Sequence, residues 1–95
     1  MKPAIRLVVV DDHTLFRRGL IGLLSEFEGF AVVGEAGNGE DALQVIAKHK
    51  PDVVLLDVNM PGMNGTETLQ ALRKAKLDMP VLMLTVSQDE NDLVG

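Results

Sequence analysis

The chain has no cysteine, tryptophan or tyrosine, and only three phenylalanines among its 95 residues. Without cysteine there is no disulfide framework, no thiolate zinc site and no cysteine nucleophile. With so few aromatics and no basic run, it offers no platform on which nucleic-acid bases stack. Nine basic residues against fourteen acidic ones give a net charge of −5. Such a segment repels a polyphosphate overall, so direct nucleic-acid binding by it is not expected. The longest uncharged apolar runs are far too short to cross a bilayer. Met1-Lys2-Pro3 leads straight into a strand-like segment, with no signal-peptide pattern. A soluble cytoplasmic protein with no membrane partner is the expectation.

What the chain does have is a 46% hydrophobic composition, enough for one core of modest size and at most one domain. Two short apolar runs end abruptly in acids: Leu7-Val8-Val9-Val10 meets Asp11-Asp12, and Val53-Val54-Leu55-Leu56 meets Asp57. A continuous, β-branched run bounded by polar residues reads as a strand buried on both faces, the habit of a parallel sheet under helices. Strands alternate with segments of helical period, which argues for βαβ units. The strands are expected at Ile5–Val10, Ala31–Glu35, Val53–Leu56 and Val81–Leu84, the second being shorter and nearer an edge. The first helix carries Phe16, Leu20, Leu23, Leu24 and Phe27 on one face and stops at Glu28-Gly29. A second helix is expected over Asp41–His49 and a third over Thr66–Lys76. Between Asp57 and Thr66 the composition is that of a loop. Ser87-Gln88-Asp89-Glu90 has a capping-box pattern that opens a further helix. Ending at Gly95 within that helix, the chain reads as a C-terminally truncated domain, since a complete one of this class has about 120 residues.

In open α/β sheets, ligands bind outside the carboxyl ends of the strands. If the two acid-tipped strands are neighbours, Asp11, Asp12 and Asp57 converge at one edge. Three acids are costly to hold together unless a cation, a shifted pKa or solvent relieves the repulsion. Magnesium suits such a place, because it takes oxygen ligands, keeps several waters and uses one or two carboxylates. A carboxylate can also act as a nucleophile toward phosphorus. Thr85, 28 residues after Asp57 at the end of the fourth strand, can offer a hydroxyl to the transferring group.

Asp11-Asp12, Leu55-Leu56-Asp57, Met60-Pro61-Gly62, Gly65 and Leu84-Thr85 resemble the receiver domain of bacterial two-component response regulators. Asp11-Asp12-His13 and Val33-Gly34-Glu35-Ala36 are similar to the subfamily that joins a receiver to a LuxR-type helix-turn-helix. The stretch from Asp57 to Leu69, with Leu84-Thr85-Val86-Ser87, resembles the nitrate/nitrite regulators. The resemblance implies a flavodoxin-like, CheY-like doubly wound sheet of order 2-1-3-4, with a fifth strand and last helix beyond Gly95. It implies that Asp57 accepts a phosphoryl group from a sensor histidine kinase with Mg2+ as cofactor. Asp12 then ligates the metal directly, Asp11 acts through a metal-bound water, and Asn59 contributes its backbone carbonyl. Thr85 contacts the phosphoryl group and couples it to the switch. A lysine and a switch aromatic on the family's fifth strand would fall after Gly95. DNA contact would belong to a C-terminal helix-turn-helix, and a homodimer is a further expected partner.

Simpler readings stand beside these. Asp12 can be an ordinary helix cap, Asp57 a turn acid and Thr85 a β-branched strand residue. His13 opens a helix and is given no role beyond solvation, while His49 is read as a charge facing the helix dipole. Gly34, Gly37 and Gly39 are read as turn chemistry and not as a dinucleotide loop. Two rival functions remain. A magnesium-dependent aspartyl-phosphate phosphatase needs a second acid two residues after its nucleophile, where this chain has Asn59. An unphosphorylated interaction module would self-associate through an exposed fourth strand. A regulatory switch, not an enzyme, is the reading carried forward.

Overall fold

The computed structural model describes residues 4–57 and 65–84. The expectations for Asn59, Thr85, Ser87 and a fourth helix lie outside the described residues. The chain runs β1 (Ile5–Val10), α1 (Thr14–Ser25), β2 (Phe30–Ala36), α2 (Gly39–His49), β3 (Val53–Asp57), α3 (Gly65–Lys74) and β4 (Val81–Leu84). The four strands form one sheet of order β2-β1-β3-β4 in which every pairing is parallel. The α/β fold and strand order are those expected.

The apolar runs occupy the middle of the sheet because both of their faces are covered. Leu7 to Val10 pair in register with Val53 to Leu56, and all eight except Val53 are buried. Successive side chains alternate across a strand. Val8, Val10, Val54 and Leu56 join Ala42 and Ile46 of α2 and Leu72 of α3 in one apolar cluster. Leu7, Val9 and Leu55 therefore face the other side. The second strand is not shorter than its neighbours: at seven residues it exceeds the six of β1, although it does lie at the edge. A register shift at Leu7/Val8 accommodates its extra residue.

Helix α2 is closed at both ends by identifiable chemistry. Asn38 accepts a hydrogen bond from the Asp41 backbone N–H at 2.8 Å, so the helix starts at Gly39, earlier than expected. Glu40 and Asp41 lie in its first turn and Lys48 and His49 in its last, the charge order that suits the helix dipole. Lys50 ends the helix in the left-handed region with φ 46°, and Pro51 prevents continuation. The Arg6 guanidinium of β1 reaches across to the terminal carbonyls, donating to His49 at 2.7 Å and Lys50 at 3.1 Å. Lys50→Gly is expected to raise stability by about 0.5–1 kcal/mol. Relief of left-handed strain outweighs the extra entropy of the unfolded glycine. Urea denaturation checks it, and a lower midpoint with unchanged slope would contradict it.

Helix α3 ends two residues before the expected Lys76. Lys76 has φ 62°, its N–H donates to the Arg73 carbonyl, and the Leu77 N–H donates to Leu72 at 2.9 Å. This is a Schellman closure, with Leu77 folded back onto the core. Gly34 lies inside β2, not in a turn. A Cβ there would come within 2.7 Å of Val45 Cγ1 and 3.2 Å of His49 Cδ2, so the glycine is what lets α2 lie this close to the sheet. Helix α1 has the expected period, but none of its residues is buried. Phe27 falls beyond its end and meets Phe30 edge-on at 6.1 Å.

Candidate functional site

The site is built by the register of the two central strands. Val10 pairs with Leu56, and the next residue of each strand is an acid. The Asp11 N–H donates to the Ala36 carbonyl at 3.0 Å, which continues the β1–β2 ladder by one step. Asp57 pairs with Leu84 as the last residue of β3, so that strand is one residue longer than expected. These backbone bonds hold both side chains at the carboxyl edge, where Asp11 is 1% exposed and Asp57 0%.

Asp12 and His13 follow in the turn into α1. Asp12 does not cap that helix: the cap position is His13, which makes no side-chain capping bond. Instead the His13 N–H donates to Asp11 Oδ1 at 2.8 Å, turning the chain so that the imidazole stands over the acids. Its Nδ1 lies 3.1 Å from Asp11 Oδ1, 3.0 Å from Asp12 Oδ1 and 3.8 Å from Asp57 Oδ2. The contact with Asp12 has ion-pair distance but not the angle of a hydrogen bond, so that oxygen keeps unfilled lone pairs. Buried Asp11 Oδ2 also has no hydrogen-bond partner among the described residues.

One donor atom from each of Asp11, Asp12, His13 and Asp57 fits within a group no wider than 4.8 Å. Buried carboxylate oxygens without hydrogen-bond donors are what a hard cation would satisfy, so the residues fit a metal ion. Asp11, Asp12 and Asp57 come together as expected, while Asn59 and Thr85 lie outside the described residues. His13 is not merely solvated: its ring is only 35% exposed and faces three carboxylates. The signal was its position directly after the acid pair.

Nothing in the sequence singles out Arg17. Its side chain donates to the Asp11 carbonyl at 2.6 Å and to Glu35 Oε1 at 2.7 Å. A Cβ on Gly37 would stand 3.1 Å from this guanidinium. Arg17 thus joins α1, the end of β1 and β2 directly beneath the acid cluster.

A parallel sheet of order 2-1-3-4, with buried acids at the carboxyl ends of its central strands, defines the CheY-like class of α/β domain. The chain belongs to the response regulator receiver domain family, whose model it matches over residues 7–95. It is 44% identical over 86 residues to the response regulator GacA of Pseudomonas aeruginosa, which covers 90% of this chain and 40% of that protein. It is 43% identical over 88 residues to the nitrate/nitrite response regulator NarL of Escherichia coli, covering 93% of this chain and 41% of that one. The signal receiver domain of the putative response regulator NarL from Mycobacterium tuberculosis superposes with a TM-score of 0.83 at 42% identity. That match covers 95% of this chain and 73% of the other. The chain therefore spans about two fifths of the length of these curated relatives. No helix among the described residues is long and apolar enough to cross a membrane.

Proposed function

We propose that this chain is a phosphorylatable switch in which Asp57 accepts a phosphoryl group from the phosphohistidine of a sensor kinase. The observation that carries this reading is the wholly buried Asp57 at the end of a central strand, held against Asp11, Asp12 and His13. An Asp57 carboxylate oxygen attacks phosphorus in line, the phosphorus–nitrogen bond breaks, and the departing imidazole takes up a proton. Asp11, Asp12, Asp57 and the Asn59 backbone carbonyl would hold Mg2+. When bound, the ion offsets charge on the transferring oxygens. Asp57 and Asp12 would supply oxygens to the ion, and Asp11 would act through water. Thr85 donates its hydroxyl to the phosphoryl group and passes the change to the segment that follows.

The reading makes the protein a two-state regulator and not a turnover enzyme. In a longer cytoplasmic protein of the LuxR type the switch would control a DNA-binding helix-turn-helix. A nitrate/nitrite signal is the pathway suggested by the NarL relatives. Residues 1–95 would be the receiver portion of that protein.

The direct test is intact-mass measurement after incubation with acetyl phosphate and Mg2+. One phosphoryl adduct is expected on the parent protein, sensitive to removal of Mg2+ by EDTA and absent from Asp57→Asn. An adduct that survives this substitution would refute the assignment of Asp57.

A further inference from the structure

His13 is the part of the cluster that phosphoryl transfer does not use. Its backbone N–H is anchored on Asp11 Oδ1, and its ring nitrogen stands among the acids and not in solvent. Donors bound to one ion at about 2.1 Å lie about 3.0 Å apart when adjacent in an octahedral shell and about 4.2 Å apart when opposite. His13 Nδ1 stands 3.0, 3.1 and 3.8 Å from oxygens of Asp12, Asp11 and Asp57. The widest spacing in the group is 4.8 Å, so a small contraction would bring all four donors onto one centre. Independently of the ring, Asp11 is 1% exposed and its Oδ2 has no hydrogen-bond partner among the described residues. That buried oxygen points to a ligand in the pocket.

We propose that His13 Nδ1 is a fourth metal donor, which lets the pocket take a borderline divalent transition ion such as Co2+, Ni2+ or Zn2+ in competition with Mg2+. The inference rests on the reading of Asp11, Asp12 and Asp57 as a metal site, and adds nitrogen to their oxygen set. Donor chemistry makes the addition selective. Magnesium takes oxygen and dehydrates reluctantly, so it gains little from an imidazole. Imidazole suits zinc, nickel, copper and iron, and affinity at a mixed nitrogen and oxygen site rises along the first-row series. A pocket of three carboxylates alone would discriminate less. His13 therefore sets which ions the same acids accept, and a transition ion held there would occupy the seat that Mg2+ needs.

The test uses tag-free protein, so that His13 and His49 are the only histidines. Ni2+, Co2+ and Mg2+ affinities are measured at one fixed pH for the parent, His13→Gln, His49→Gln and Asp12→Asn. His13→Gln is expected to weaken Ni2+ and Co2+ binding by about tenfold or more, the scale of a lost ligand interaction. Mg2+ binding should fall far less than Ni2+ and Co2+ binding, and His49→Gln should change nothing. Pulsed EPR of Cu2+-loaded His49→Gln, in which His13 is the sole histidine, should show the nitrogen hyperfine coupling of a directly bound imidazole, whether or not any other variant folds well. Absence of that coupling overturns the proposal, as does an equal effect of His13→Gln on every ion. If Asp12→Asn leaves all three affinities unchanged, the acidic pocket itself is not the metal site and the parent reading falls. If Asp12→Asn weakens all three while His13→Gln changes none, only the nitrogen donor is refuted.

Discussion

Asp11→Asn is expected to yield a metal-free protein about 1–3 kcal/mol more stable than the parent, and one that no longer gains stability from Mg2+. Like charges about 4 Å apart repel by about 4 kcal/mol at an effective dielectric constant near 20. Asp11 is fully buried beside Asp57, with Asp12 at the rim. The discount to 1–3 kcal/mol reflects the 24% exposure of Asp12 and the His13 ring that faces all three. The amide keeps an oxygen to accept the His13 N–H, a 2.8 Å bond in the parent. It also replaces the unpartnered second carboxylate oxygen with a neutral donor, so packing is preserved while the repulsion falls. Any ion that binds only the folded parent stabilises it by mass action, about 1.4 kcal/mol at ten times its dissociation constant. The variant should lose that increment. Urea denaturation in EDTA and in Mg2+ measures both quantities, and an Asp11→Asn protein less stable than the parent in EDTA would show that the acids are not in net repulsion.

The same electrostatics explain why so much of the site could be read from the chain. Acids placed at the tips of apolar runs have few structural reasons to be there, and parallel strands in adjacent positions bring their carboxyl ends to one edge. The runs themselves were legible because Val8, Val9, Val54 and Leu56 are buried on both faces of the sheet, which removes the alternation that would otherwise mark a surface strand. Element ends were less legible. Alanine and lysine are good helix formers, so Ala75-Lys76 looks like more helix, and nothing in their identity announces the left-handed Lys76 that stops it. Gly34 misleads for the opposite reason. Glycine is ordinarily turn vocabulary, and only the approach of Val45 and His49 reveals that it clears room for a helix.

Helix α1 shows another limit of pattern reading. Its apolar spacing correctly predicts a helix, yet Phe16 and Leu23 remain exposed among the described residues, because periodicity marks a face without saying how much of the fold covers it. His13 and Arg17 escaped for a related reason. Each acts through contacts that fold back across a turn, and a single residue in a sequence does not tell whether its side chain points to solvent or over its neighbours. The acidic cluster was predictable as a set of charges. The cationic and imidazole groups that manage those charges became visible only once the turn after β1 was in place.

Arg17→Met should therefore cost more than an ordinary surface change: about 1–3 kcal/mol of stability, with Mg2+ affinity reduced about tenfold. The methionine keeps an apolar stem against the helix but removes the donors to the Asp11 carbonyl and to Glu35. A half-buried carbonyl that loses a charged donor accounts for most of the energy. The exposed Glu35 pairing adds little, since ion pairs at the surface contribute about 0–1 kcal/mol. Glu35→Gln is therefore expected to be nearly neutral. The effect on metal affinity has a separate cause. Arg17 touches no carboxylate of the cluster; it fixes the backbone of Asp11 while the α1 bond from Arg17 N–H to the His13 carbonyl fixes the turn above it. Loosening that frame spreads the carboxylate oxygens of Asp11 over several geometries, and loss of such supporting contacts lowers metal affinity by about 10–100-fold. Calorimetric Mg2+ titration set beside urea melts separates the two consequences. If Arg17→Met loses stability but binds Mg2+ as the parent does, Arg17 braces the sheet alone; if affinity falls while Glu35→Gln stays at the parent value, the bond to Asp11 is what holds the acids in place.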